Sequence, residues 1–127
     1  RPMEVTCHRA FDMTRDHAEA VEALVRAGVD RVLTSGRHDT ALEGLTVLAE
    51  TVKAAAGRIV IMGCGALDAQ NIAQVLDETG VDEVHFAALH DEPSGMRFRN
   101  SAIGMGGTDL AVQVAHFAQR RFDIGFR

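Results

Sequence analysis

Three residues with chemical potential stand together near the start of the chain: His8, Arg9 and Asp12. A histidine titrates near neutrality, so His8 can ligate a metal or move a proton. Arg9 can hold an anion through its planar donor fork, and Asp12 can orient either neighbour. The same residues also read as an Arg–Asp pair locking a loop beside a hydrogen-bonded interior histidine. His85 is a second histidine in a strand-like stretch. It can join His8 in a metal site or an acid/base pair, or rest beside Glu83. Glycine turns add a third kind of chemistry. Thr34-Ser35-Gly36 and Gly63-Cys64-Gly65 follow apolar runs, and glycine lets backbone N–H groups approach an anion. Ordinary tight turns explain them as well. Arg97 and Arg99 lie in a later polar stretch and can close over an anion or stay solvated. Cys64 offers a soft ligand in its turn, where a thiolate can be reached. Catalytic candidates are therefore His8, Arg9, Asp12 and His85, and metal candidates are Cys64, His8 and His85.

The elements that must carry these residues follow a regular rhythm. Met3–His8, Asp30–Thr34, Arg58–Met62 and Asp82–Phe86 read as strands. Between them lie helical patterns. Asp16 with Glu19 and Thr40 with Glu43 have capping-box spacing. A third helix opens near Asp68, with Ile72, Val75 and Leu76 as its buried face. Gly28, Gly57 and Gly80 are placed to stop the three helices. Gly28-Val29-Asp30-Arg31-Val32 recurs as Gly80-Val81-Asp82-Glu83-Val84, a repeated junction from helix into strand. After the fourth strand the rhythm changes. Residues 90–107 read as a polar loop, and Leu110, Val114 and Phe117 predict a last helix over 109–120.

Helices between successive strands imply a parallel sheet with right-handed crossovers. Alternation inside the strands favours a barrel over a doubly wound sheet. Glu4, Thr6 and His8 fall on one side of the first strand, and Val5 and Cys7 on the other. Glu83 and His85 likewise oppose Val84 and Phe86. In a barrel the polar set faces the interior and the apolar set the helices. The chemistry-bearing residues then collect at the C-terminal strand ends, where barrel sites form. The expected class is α/β: half of a (β/α)8 barrel, with four parallel βα units and a C-terminal helix. It forms one domain over 1–127, with 108–127 a divergent tail.

Bulk properties exclude several functions. The chain has 127 residues, a net charge of −5 and interspersed signs, so no basic footprint for nucleic acid is present. No apolar run reaches the roughly 18 residues that cross a bilayer, and no signal peptide is visible. Cys7 and Cys64 are far apart without CxxC spacing, which sets no disulfide framework and points to the cytoplasm.

Several segments together resemble the CutC copper-homeostasis family. They are Val5-Thr6-Cys7-His8-Arg9-Ala10-Phe11-Asp12-Met13, Arg31-Val32-Leu33-Thr34-Ser35-Gly36, Thr40-Ala41-Leu42-Glu43-Gly44, Glu83-Val84-His85 and Ser94-Gly95-Met96-Arg97-Phe98-Arg99-Asn100. The matches keep order and spacing over residues 3 to about 107. The family is similar to a TIM barrel, and these segments resemble its fifth to eighth strands. A complete barrel needs roughly 250 residues, so the resemblance implies a C-terminal half. It also implies copper homeostasis and copper binding. The cysteines proposed as ligands in the family fall in the other half, and Cys7 stands where the family commonly has Phe. Two functions are therefore expected as alternatives. One is a copper-binding homeostasis protein. The other is an enzyme-like barrel holding a small anionic or phosphorylated ligand at its mouth. A half barrel exposes two strand edges, so a homo-oligomer is the expected state.

Overall fold

The computed structural model describes residues 3–93, 97, 98, 100, 102 and 111–117. Ser94, Gly95, Met96, Arg99, Gly104, Gly106 and Gly107 lie outside the described residues.

From Thr6 to Val84 the chain alternates strand and helix as its periodicity predicts. β1 (Thr6–Cys7) leads through a 3-10 turn at Arg9–Met13 into α1 (His17–Ala27). β2 (Arg31–Thr34), α2 (Leu45–Ala55), β3 (Val60–Gly63), α3 (Ile72–Thr79) and β4 (Glu83–Val84) follow. The four strands form one sheet in the order β1-β2-β3-β4. Every pair is parallel, with Thr6 opposite Arg31, Arg31 opposite Val60 and Met62 opposite Glu83. Sequential parallel order with a helix after each of the first three strands is the arrangement of a barrel wall.

Local chemistry sets the helix limits. Asp16 Oδ1 accepts from the Glu19 N–H at 2.8 Å. Glu19 does not return the bond, because its carboxylate takes Arg15 at 2.6 Å instead. Thr40 and Glu43 do reciprocate, at 3.2 and 3.3 Å, but they tie a turn ahead of α2, which starts at Leu45. α1 and α3 end at Gly28 and Gly80, both left-handed (φ 72° and 67°) as glycine permits. α2 ends one residue earlier than expected, at Ala56.

The core lies between sheet and helices. Val32, Ile61 and Val84 project from the strands onto Val21, Leu48 and Val75 of the helices, all of them buried. Each such side chain contributes about 1.5–3 kcal/mol on burial. Cys7 and Phe86 pack against the same cluster, on the helix side as the alternation requires. The repeated junction has a matching structural role. Asp30 Oδ2 accepts from Val5 N at 2.7 Å, and Asp82 Oδ2 accepts from Ile61 N at 2.8 Å. In each case the aspartate before one strand holds the strand before it.

The C-terminal region differs from expectation. β5 (Ala87–Pro93) occupies the start of the expected loop, and β6 (Ala111–Phe117) replaces the expected helix over 109–120. The two pair antiparallel as a separate sheet, from Ala87 opposite Phe117 to Pro93 opposite Ala111. Val112 and Val114 are β-branched at strand spacing, so this short apolar window fits either period. Pairing with residues far back in the chain decides for strand.

Candidate functional site

At the C-terminal ends of β1 and β2, the chain builds a network around one carboxylate. The 3-10 turn after β1 brings Asp12 under the loop that follows β2. Asp12 Oδ1 accepts from Thr34 Oγ1 at 2.5 Å and from the Arg37 N–H at 3.1 Å. Its Oδ2 accepts from Arg9 Nε at 2.8 Å and the Ser35 N–H at 3.2 Å, with Ser35 Oγ at 3.0 Å. Arg9 Nη2 also donates to Ser35 Oγ at 2.5 Å and to the His38 carbonyl at 2.9 Å. The Ser35 hydroxyl sits between Asp12 and the His38 carbonyl, so its one proton serves one of the two.

Backbone shape makes this closure possible. A Cβ on Gly44 would stand 2.0 Å from the Ser35 carbonyl oxygen, and one on Gly36 would stand 2.3 Å from the Gly44 oxygen. Only glycines at both positions let the two backbones meet. Gly65 (φ 102°) presses against Ser35 and the Asp39 carbonyl, and its own carbonyl accepts from Ala41 N at 3.0 Å. The glycine turns after β2 and β3 therefore close on each other.

Electrostatics follow from this packing. Burial pushes the Asp12 carboxyl up, but hydrogen bonds from Thr34, Arg9, Arg37 and Ser35 outweigh it and hold it below the usual carboxylate range. The bond to Asp12 raises Arg9 further. Burial pushes the Cys64 thiol up to about 11, against the pull of nearby Arg9. Cys64 is only 4 % exposed. Where the sequence suggests a reachable thiolate, the structure holds Cys64 buried near Arg9 and Asp12. Cys7 is half-buried, and burial raises its thiol also.

The remaining candidates make local contacts. His8 uses Nδ1 to accept from Ala10 N at 3.0 Å, capping its own turn. His85 is exposed and donates its backbone N–H to Gly63 at 2.8 Å. Arg97 is exposed. Among the described residues, no group of three or more His, Cys, Asp or Glu is placed to hold a metal ion.

A second polar cluster was not anticipated. On the face of the sheet away from the helices, Arg31 donates from Nε to Glu83 Oε2 at 2.6 Å and from Nη2 to Oε1 at 3.2 Å. The pair is nearly sealed, with side chains 11 % and 4 % exposed. Arg31 also reaches Glu4 at 3.2 Å and Thr6 Oγ1 at 3.3 Å. The inward placement of Glu4, Thr6 and Glu83 follows from alternation. The signal for their common partner was the charge at Arg31, one step out of phase with buried Val32.

A four-stranded parallel wall with its polar network at the C-terminal strand ends defines part of a TIM-type barrel. The CutC family profile matches residues 1–90, and the chain belongs to the CutC family. A CutC family protein of Mesorhizobium japonicum is 63 % identical over 109 residues, covering 86 % of this chain and 42 % of the relative. The protein named copper homeostasis protein cutC homolog in Mus musculus is 44 % identical over 108 residues, covering 85 % of this chain and 40 % of its own length. A CutC crystal structure from Streptococcus agalactiae matches with a TM-score of 0.62 and 29 % identity, over 65 % of this chain and 41 % of that one. The chain thus spans less than half the length of the relatives it matches. No helix among the described residues is long and apolar enough to cross a membrane.

Proposed function

We propose that this chain serves copper homeostasis as the C-terminal half of a CutC barrel, forming a rigid wall of the mouth rather than the copper ligands themselves. The Asp12 network carries this reading. Arg9, Thr34 and Ser35 are all directed at Asp12 or at one another, so the mouth segment is internally braced. The names of the mammalian relatives supply the link to copper. Copper(I) prefers soft sulfur donors, and the buried Cys64 thiol, raised to about 11, supports placing those donors elsewhere in the barrel. Both cysteines are free, which suits the reducing cytoplasm. The anionic-ligand reading gains no comparable support, because the Arg9 guanidinium and the Thr34 and Ser35 hydroxyls already have partners. Copper(I) titration against a chromophoric chelator tests the proposal, with this chain beside the full-length Mesorhizobium japonicum relative. The relative should compete for copper while this chain does not. Stoichiometric binding by this chain that disappears in Cys64→Ser would refute it, as would failure of the relative to bind.

A further inference from the structure

We propose that the turn after β2, residues 34–37, is a preformed receptor for a small carboxylate, and that Asp12 fills it as a tethered ligand. The inference stands apart from any role in copper handling. Three successive backbone N–H groups serve the Asp12 carboxylate. That of Ser35 is shared between Oδ1 and Oδ2, at 3.3 and 3.2 Å, and that of Arg37 reaches Oδ1 at 3.1 Å. The Gly36 N–H donates to Thr34 Oγ1 at 3.0 Å, and that hydroxyl donates its own proton to Oδ1 at 2.5 Å. Successive N–H groups turned to one side form a concavity that binds anions. Gly36 and Arg37 are both left-handed (φ 70° and 64°). At Arg37 this backbone is strained, and such strain collects where a ligand is clamped.

The turn keeps its shape through contacts that do not involve Asp12. Gly36 meets Gly44 backbone to backbone. The Thr34 carbonyl accepts from Cys64 N at 2.9 Å, and Ala41 N donates to the Gly65 carbonyl at 3.0 Å. Arg9 is tied to Ser35 Oγ and the His38 carbonyl as well as to Asp12, so its charge stays at the site when the carboxylate is removed. The tether is anchored separately. Phe11 is 1 % exposed, and its carbonyl accepts from Thr14 Oγ1 at 2.8 Å. Taking away the Asp12 side chain therefore leaves a void that is lined by donors and sized for one planar carboxylate. The donors after β2 form an anion site whose anion is the chain's own, and Asp12 closes it to any other.

Asp12→Gly in the 127-residue chain, titrated with sodium formate against sodium chloride of equal ionic strength, tests the proposal. Formate should raise the variant's folding equilibrium constant roughly tenfold once it stands at about ten times its dissociation constant. A variant that is unfolded without ligand should regain its helical circular dichroism as formate is added. The Ser35 and Arg37 amide resonances should move along the same binding curve. The unmodified chain, with Asp12 in place, should respond to the two salts alike. An equal response of Asp12→Gly to both salts would overturn the inference, because the carboxylate would then shape the turn rather than fill it. A formate gain that leaves those two amides unmoved, or one of the same size in the unmodified chain, would place the binding elsewhere and overturn it as well.

Discussion

Replacing Asp12 by alanine should cost far more stability than replacing its partner Arg9. Asp12 has a side chain only 7 % exposed and accepts from Thr34, Ser35, Arg37 and Arg9. Its removal strands the Thr34 hydroxyl and two backbone N–H groups, each worth about 1–3 kcal/mol when unsatisfied. Relaxation and entering water lower the simple sum. The three stranded donors together set about 4 kcal/mol as the expected loss for Asp12→Ala. Arg9 is 45 % exposed, so solvent screens its pair, and Arg9→Ala should cost about 1 kcal/mol. Urea unfolding followed by circular dichroism measures both. The pH dependence supplies a second check. The Asp12 carboxyl is held below its usual range in the fold, so the unfolded chain takes up the proton at a higher pH. Its stabilisation is complete above the unfolded value, near about 3.9, and is lost as pH falls through the folded value. Asp12→Ala should therefore flatten the decline in stability at acid pH. A loss below about 1 kcal/mol, or one no greater than that of Arg9→Ala, would show that the carboxylate is not the hub.

Three further outcomes are expected. Glu83→Ala leaves Arg31 buried without its bidentate partner and should cost about 3–5 kcal/mol, whereas the Arg31→Met, Glu83→Met pair should recover most of that loss in the same unfolding assay. Gly44→Ala forces a Cβ to 2.0 Å from the Ser35 carbonyl and should destabilise strongly, while Gly28→Ala, with open space around it, should cost only about 1 kcal/mol for its positive φ, both read by thermal melting. Cys64, raised to about 11 and buried, should react with a thiol reagent at neutral pH more slowly than half-buried Cys7, and unfolding in urea should equalise the two.

Much of the wall was legible because its signals are local. Asp16, Gly28 and Gly80 act within a few residues of where they stand, so spacing alone located both ends of α1 and the stop of α3, which starts at Ile72 rather than near Asp68. Period-two alternation also sorted Thr6 and Glu83 from Cys7 and Val84. The link between Arg9 and Asp12 was readable at three residues' separation. The other partners of Asp12 were not, because Thr34 and Ser35 arrive from 22 and 23 residues away. Their hydroxyls look like free anion donors until the turn folds over. The burial of Cys64 is likewise a tertiary property that its glycine turn does not announce. The segment around Val112 and Val114 has the converse difficulty. Its local pattern supports two periods, and only pairing with Ala87–Pro93 selects one.

The aspartates at the two repeated junctions carry an implication for how the wall forms during synthesis. Asp30 secures Val5 across 25 residues, and Asp82 secures Ile61 across 21. Each link is complete once a single strand–helix–strand segment has emerged. Loop closure at that span is fast and entropically mild. The wall can thus be assembled from strand–helix–strand segments, since β2 meets β3 through Arg31 and Val60 at a similarly short span, and the contact of Arg31 with Glu83 spans 52 residues. Contacts at Asp30 and Asp82 are therefore expected to form before the one between Arg31 and Glu83, an order that pulsed hydrogen exchange during refolding would read.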